Sequence, residues 1–521
     1  MLNFCPFEFK DIDMNNLAYE LVFPNTWKWE QVKKKTVIGT EKLAFINEND
    51  TRRNKHFKED TTVHHVILLE TKKKGGKNGF QRLLDLIENN NRSVSAPEFS
   101  KTQINEDLSD KYGLDEPLKQ EDLDDDEYDQ NEILMLEHKK IHGIDAFVDE
   151  DDDVVMYAMP CCPKCHNRLP IGWDVAEDFA AVSLMAPTGG GKTTFLYSMM
   201  NKNWSVFKQF RSINDKQLSI TSAHREYDRT DTTYYQMTEA AKAMCQDYGT
   251  CPPNTDPGHW IPPVFLNVQF DGHTMIIGIY DNSGENLIAP DLITNTQLSM
   301  LLDKMFADIY LFDPADMNIT LPQKKDAEVR KQLDNCFVLD IEKQGSYQIG
   351  HAEMPIQAKD LLFERTSKAS SFKNSRLLEV YDNNYSIRQQ NHYLDAMKGM
   401  YFHGVVIKSD LLENVKEIAS NSAYRMLFDR GNTQDILDVN MMSDRSDLVE
   451  DMIEDLQLFK GKNLKDFRRD YGKGVSWHCI SALGCDAEMA DNLLGEYAPI
   501  RVEEPLMTCI LNRIRDNGWM R

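Results

Sequence analysis

The stretch LMAPTGGGKTTFL, residues 184–196, constrains the fold of this chain more than any other. Ala186, four further residues and then Gly191-Lys192-Thr193 match the Walker A spacing, with alanine in the leading place. Gly189, Gly190 and Gly191 carry no Cβ, so the backbone can curl and aim its N–H groups at an anion. Lys192 is placed to reach the β- and γ-phosphates of a nucleotide and Thr193 to put its hydroxyl on Mg²⁺; Thr194 is a further nucleotide contact. The flanks agree. FAAVSLMA before the loop is a short apolar run suited to a buried strand, and KTTFLYSMM after it continues as a helix. A strand, a glycine-rich loop and a helix N-terminus together form an anion site.

The chain has 521 residues, room for roughly three to four domains. It has no run of about 18 apolar residues, so no membrane span is expected. The start, MLNFCPFEFKDID, lacks a basic region followed by an apolar stretch, and no secretory signal is expected there. Ten scattered cysteines suit a reducing cytoplasm better than a disulfide scaffold. A net charge of −25 argues against direct, sequence-independent nucleic-acid binding, which needs a basic surface. Much of that charge is local: residues 104–153 hold 20 acidic and 4 basic side chains, net −16. Like charges in such density repel, and a solvated, flexible insert is expected.

The organisation follows from these shifts. Residues 1–24 and 156–172 read as a zinc-ribbon-like knuckle module, split by a part-ordered insertion over 25–155 whose first half holds the strand-like pieces KLAFINEN and HHVILLET. From about 173 to 521 strand-like and helix-like segments alternate in the α/β manner, with a long extra segment from 317 to about 388. In CCPKCHNRLP, Cys162 and Cys165 have the C-x₂-C spacing that puts two thiolates on one metal. Cys5 is the candidate third ligand, but Glu8 stands three residues after it where a fourth cysteine would fall; Cys161 or His166 could complete the set. The adjacent His64-His65 would point to opposite faces of a strand and so would not share a metal.

VFLNVQFDGHTMIIGIYDNSGE, residues 264–285, reads as a hairpin turning at Asp271-Gly272. Its second strand ends on Asp281, followed by Gly284, a D-x-x-G arrangement: Asp281 is placed to hold Mg²⁺ through water, and the Gly284 N–H to sense the γ-phosphate. YFHGVVIKSDLL is a strand ending in Lys408-Ser409-Asp410, similar to the N/T-K-x-D guanine motif, with Ile407 in the leading place. An aspartate there accepts two hydrogen bonds from guanine N1 and N2, a donor pair adenine lacks, while the lysine stem covers the base. VSWHCISALG ends in Ser481-Ala482, resembling the motif whose backbone N–H groups meet guanine O6.

Taken with CPKCHNRLP before the loop, ADIYLFDPAD and RVEEPLMTCIL, these motifs resemble the bacterial double-GTPase family, which is related to translation-factor GTPases. The resemblance spans residues 1–24 and 156–521 and implies a P-loop GTPase fold: a mostly parallel sheet with one antiparallel hairpin. It implies GTP/GDP and Mg²⁺ as ligands, Zn²⁺ at the knuckle, and a protein partner such as a second GTPase or an effector in a defence-type system. Glu285 stands where Ras-like enzymes carry the glutamine that orients water. Its charge beside the γ-phosphate implies slow hydrolysis, with Lys192 supplying positive charge. Thr255, in the turn-rich GTCPPNTDPGHW, is the expected switch threonine. The alternatives are a GTP-binding scaffold without turnover and a P-loop ATPase; the latter would need a second Walker B acid and no guanine motif.

Overall fold

Short apolar runs separated by polar turns fold the first third of the chain into an antiparallel sheet. The computed structural model describes residues 2–24, 31–32, 46–48, 50, 52, 67–71, 76–95, 135–141, 143–187, 190–201, 211–213, 215–224, 232–246, 263–281, 302–314, 317–319, 346–349, 352–355, 376–413, 415–428, 439–459, 462–484, 487–488, 493–494 and 497–520. The chain divides into two units, one of Asn3–Ile171 and one that holds Gly172–Arg521. Among the described residues no helix is long and apolar enough to cross a membrane.

The first unit is built on β1 (Ala18–Val22), β2 (Ile46–Asn47), β3 (Ile67–Leu69), β4 (Glu137–Ile141), β5 (Ile144–Val148) and β6 (Val154–Cys161), in the order β2-β3-β1-β6-β5-β4. Helix α1 (Gly79–Ser95) places Phe80, Leu83, Leu84 and Ile87 on one face, the i, i+3, i+4, i+7 pattern of a helix that covers a core. The Phe80 ring stacks on Tyr19 of β1 with centroids 4.4 Å apart. Two expected boundaries are corrected here. The sheet runs straight across residue 24, because β3, β4 and β5 come from the segment read as a separate insertion over 25–155. The acidic tract is not solvated to its end: β4 and β5 form a hairpin within it, and Ala146, Phe147 and Val148 are buried. The apolar side chains of IDAFV gain by burial, and the largely buried Asp145 between them is met by His138 Nε2, 2.9 Å away. The acidic residues 104–134 lie outside the described residues.

The second unit contains β7 (Asp178–Met185), α2 (Lys192–Met200), β8 (Arg211–Ile213), β9 (Lys216–Ser222), α3 (Thr232–Met244), β10 (Val264–Phe270), β11 (His273–Asp281) and β12 (Ala307–Phe312). After a two-stranded ribbon, β13 (Ser346–Ile349) and β14 (Ala352–Pro355), follow α4 (Arg376–Gln390), β15 (Tyr401–Val406), α5 (Val439–Asp455), α6 (Leu464–Asp470), β16 (Gly474–Cys479) and α7 (Glu504–Asp516). The main sheet has the order β16-β15-β12-β7-β11-β10-β9-β8. Its five strands from β16 to β11 are parallel. Strands β7 and β12 are near-continuous apolar runs because helices leave neither face to solvent. The Asp271-Gly272 turn joins β10 to β11 as expected, with φ of 50° and 86° at its two residues. The antiparallel part is larger than the single expected hairpin: β9 pairs with β10, and β8 with β9.

The segment expected as an insertion up to about 388 also ends earlier, since α4 belongs to the core. Arg388 of α4 lies fully buried against Asp308 of β12, Nη1 to Oδ2 at 2.8 Å. Tyr471 Oη donates to the same carboxylate at 2.6 Å, and Ser183 Oγ of β7 donates to its other oxygen. At the start of β15 and β16 a cavity of about 210 Å³ is lined by Tyr401, His403, Ser476, His478, Asp447 and Arg515 among others. His403 Nδ1 lies 2.6 Å from Ser476 Oγ, which lies 3.1 Å from His478 Nε2. Burial pulls His403 down to about 3 and His478 well below the ordinary range. The unfolded chain therefore takes up protons below about pH 6.5 that the fold refuses, so this contribution to stability is present above that pH and lost as pH falls. His403 alone is expected to remove about 2 kcal/mol between pH 7 and pH 5. His403→Gln should flatten the fall of Tm over that window in thermal melts; an unchanged slope would show that the ring titrates freely.

Candidate functional site

The five parallel strands deliver their C-terminal ends to one end of the main sheet, and the sequence motifs follow four of them, β7, β11, β15 and β16. After β7 the chain turns through Gly190, whose N–H bonds Pro187 O at 2.9 Å, and Gly191, at φ 72°. A Cβ on Gly190 would stand 2.8 Å from that same carbonyl, so the turn needs glycine. Phe195 N–H then bonds Gly191 O at 2.8 Å and starts α2, with Lys192, Thr193 and Thr194 as its first, half-buried turn. Lys192 Nζ donates back across the loop to Ala186 O at 2.9 Å.

Strand β11 lies beside β7 in parallel, with Asp281 opposite Leu184. Asp281 is 8 % exposed, and among the described residues its Oδ1 has no hydrogen-bond partner. Burial pushes its carboxyl up to about 6, against a partial downward pull from Lys192. An acid held so far from solvent, facing a lysine, fits a site whose missing partner is a cation or its water shell. A raised carboxyl favours folding below about pH 4, where both states are protonated, and that stability is lost as pH rises through 6. Asp281→Asn is accordingly expected to stabilise the protein by about 3 kcal/mol at pH 7.5. Thermal melts check this; a lowered Tm would show that the carboxylate is already satisfied in the fold.

On the other side of β7, Lys408 follows β15 in the left-handed region, φ 51°, and its Nζ pairs with Asp313 Oδ2 at 2.6 Å. Asp410 Oδ1 accepts from Ser481 Oγ at 2.6 Å, and Ser481 Oγ accepts from Gly484 N at 2.9 Å. The two loops expected to hold a base are thus joined through their own side chains. Ala482 O accepts from Ser198 Oγ at 2.6 Å, which lies 2.7 Å from Tyr497 Oη, tying the last loop to α2. Ile407 is buried and packs on the glycine loop: its Cδ1 lies 3.1 Å from the place a Cβ on Gly191 would take. The structure therefore brings Gly190, Gly191, Lys192, Thr193, Thr194, Asp281, Lys408, Asp410, Ser481 and Ala482 to one end of the sheet. Gly189, Thr255, Gly284 and Glu285 lie outside the described residues. Asp313, Ser198 and Tyr497 are contributors the motifs do not mark; the only signal was the position of Asp313 directly after an apolar strand.

In the first unit Cys5, Cys162 and Cys165 are buried, unlinked thiols whose sulfurs all lie within 4.8 Å of one another. Cys5 Sγ and Cys165 Sγ are 3.6 Å apart, against about 3.8 Å for two sulfurs on a tetrahedral zinc with bonds of about 2.3 Å. Lys164 N–H donates to Cys162 Sγ and Asn167 Nδ2 to Cys165 Sγ, both at 3.4 Å, as suits sulfurs carrying negative charge. Hydrogen bonds from Cys165 and Cys5 draw Cys162 down to about 3, while burial pushes Cys5 well up. The group could bind a metal such as zinc. Cys161 and His166 do not complete it: Cys161 Sγ donates to Met159 O at 3.5 Å, and His166 Nδ1 lies 2.9 Å from the buried Asp50 Oδ1. In comparisons with known proteins, no family model and no curated protein matches the chain.

Proposed function

We propose that the second unit is a GTP-binding domain of the P-loop GTPase kind, hydrolysing GTP slowly and switching a protein partner. The observation that carries this reading is the joined pair Asp410–Ser481 beside the glycine loop of residues 190–194, at the strand ends where the sheet order departs in both directions from β7. In open α/β sheets such a switch point is where ligands bind. Lys192 gives up Ala186 O and turns its ammonium to the β- and γ-phosphates. The first-turn N–H groups of α2 face the same charge. Thr193, and Asp281 through water, would hold Mg²⁺, which would neutralise charge on the phosphates. Asp410 accepts from the guanine edge, kept in place by Ser481, and the Lys408 stem lies along the base, its ammonium fixed by Asp313.

Glu285 in the water-orienting place favours slow turnover, and a binding scaffold without turnover is the second reading it supports. The partner is a protein, a second GTPase or an effector, as the resemblance to defence-associated double-GTPases suggests; the acidic tract makes a basic docking surface on it reasonable. Calorimetry of GTP, GDP and ATP with Mg²⁺ tests the reading. GTP and GDP are expected to bind and ATP not. If ATP binds as well as GTP, the guanine assignment falls and a P-loop ATPase or an inactive scaffold remains; if nothing binds, nucleotide binding itself is wrong. Single-turnover hydrolysis then separates the slow switch from the scaffold.

A further inference from the structure

The chain around Cys5 and the chain around Cys162 are the same structure twice, 157 positions apart in sequence. Each begins with Cys-Pro, at Cys5-Pro6 and Cys162-Pro163. Cys5 N–H bonds Lys10 O at 2.9 Å, and Cys162 N–H bonds Asn167 O at 2.9 Å. Phe9 N–H bonds Cys5 O at 2.7 Å, and His166 N–H bonds Cys162 O at 3.0 Å. Phe9 and His166 both take the left-handed conformation, at φ 51° and 58°. The turns are closed by matching antiparallel bridges, Phe4 with Asp11 and Cys161 with Arg168. Lys164 of the second turn donates its ammonium to Asp11 O of the first at 2.9 Å, so the two turns face each other.

In this repeat the metal-facing places are the first and fourth. The second turn fills them with Cys162 and Cys165, the first with Cys5 and Glu8. Glu8, 6 % exposed, is buried as its counterpart Cys165 is. The fifth place is occupied by Phe9 in one turn and by His166 in the other, so it carries no ligand role in the repeat, and His166 is held by Asp50.

We propose that Glu8 is the fourth ligand of the metal held by Cys5, Cys162 and Cys165, making a closed Cys₃Glu site rather than a degenerate cysteine knuckle. Among the described His, Cys, Asp and Glu only the three sulfurs lie within 4.8 Å of one another, so coordination by Glu8 requires its side chain to turn toward them. Carboxylate oxygen is an accepted zinc donor at about 2.0–2.2 Å. Three thiolates and a carboxylate leave the site at net −2 around a divalent ion. This inference rests on the metal-site reading of the cysteine group.

The test is Co²⁺ titration of the full-length, metal-free protein, followed by its visible absorption and by chelator competition. Wild type is expected to give tetrahedral d–d bands with charge-transfer intensity for three thiolates. Glu8→Gln should shift the d–d bands and weaken metal retention at least about tenfold. Glu8→Cys should keep the metal, add a fourth thiolate band, and so distinguish a lost ligand from a failure to fold. A spectrum and affinity unchanged in Glu8→Gln but altered in His166→Ala would overturn the assignment of Glu8 while leaving the Cys₃ metal site standing. No cobalt bands in wild type would overturn both.

Discussion

Asp410→Ala is expected to lower GTP and GDP affinity roughly 10²–10⁴-fold and to leave any weak ATP binding as it was. The magnitude comes from two hydrogen bonds between a carboxylate and the guanine N1 and N2 edge, each worth about 1.5–3 kcal/mol when one partner is charged. The carboxylate is well prepared for this. Its Oδ1 is held by Ser481 Oγ at 2.6 Å, and Ser481 is itself fixed by Gly484 N–H, so little rotamer freedom remains to be lost on binding. Ser481→Ala should therefore cost less, about tenfold, because it loosens the acceptor without removing it. Calorimetry on both variants, with thermal melts to confirm folding, is the check. If Asp410→Ala binds GTP as tightly as wild type, the base contact lies elsewhere and the resemblance of the Lys408–Asp410 loop to a guanine motif is a coincidence of spacing.

How the sequence announced these features follows from what each one depends on. The glycine loop, the Asp271-Gly272 turn and the strand-end acids are local: spacing, Cβ absence and apolar runs of four to eight residues specify them, and the strands carrying them were readable. The strand β8 was not, because three residues ending at Ile213 give too short a run to register as a strand, and its turn rests on Asp215 at φ 63°. The hairpin of β4 and β5 was hidden for a different reason. The acidic composition between 104 and 153 dominates any window, although IDAFV inside it buries three side chains in a row. Of the repeated cysteine turn the sequence showed Cys-Pro in both copies and Glu8 in the place of a fourth cysteine, while the backbone bonds that make the two turns equal leave no mark in side-chain identity. Pairings across the fold, such as Lys408 with Asp313 or Arg388 with Asp308, have no periodicity at all. An aspartate inside the apolar run ADIYLF was visible as an exception, but its partner lies 80 residues away.

That exception carries the second large effect. Arg388→Met is expected to destabilise the second unit by about 3–5 kcal/mol, because it leaves Asp308 charged and fully buried. Ser183 and Tyr471 still donate to the carboxylate, yet neither brings a positive charge, and the surroundings of Tyr310, Tyr381 and Phe402 are buried aromatic rings. Asp308→Asn in the same background should recover most of the loss, since the neutral amide oxygen can accept from one hydroxyl while its Nδ2 donates to the oxygen of the other; this pattern separates a charge effect from a packing effect. The consequence reaches the nucleotide loop through strand β7. Ser183, tied to the Asp308 carboxylate, lies three residues before Ala186, whose carbonyl holds Lys192. The ion pair thus braces the strand that presents the glycine turn. Arg388→Met alone should weaken GTP binding as well as lower Tm, and the double variant should restore both together. Recovery of Tm without recovery of binding would mean that the brace and the loop are independent, with Arg388 serving only the packing of α4 on the sheet.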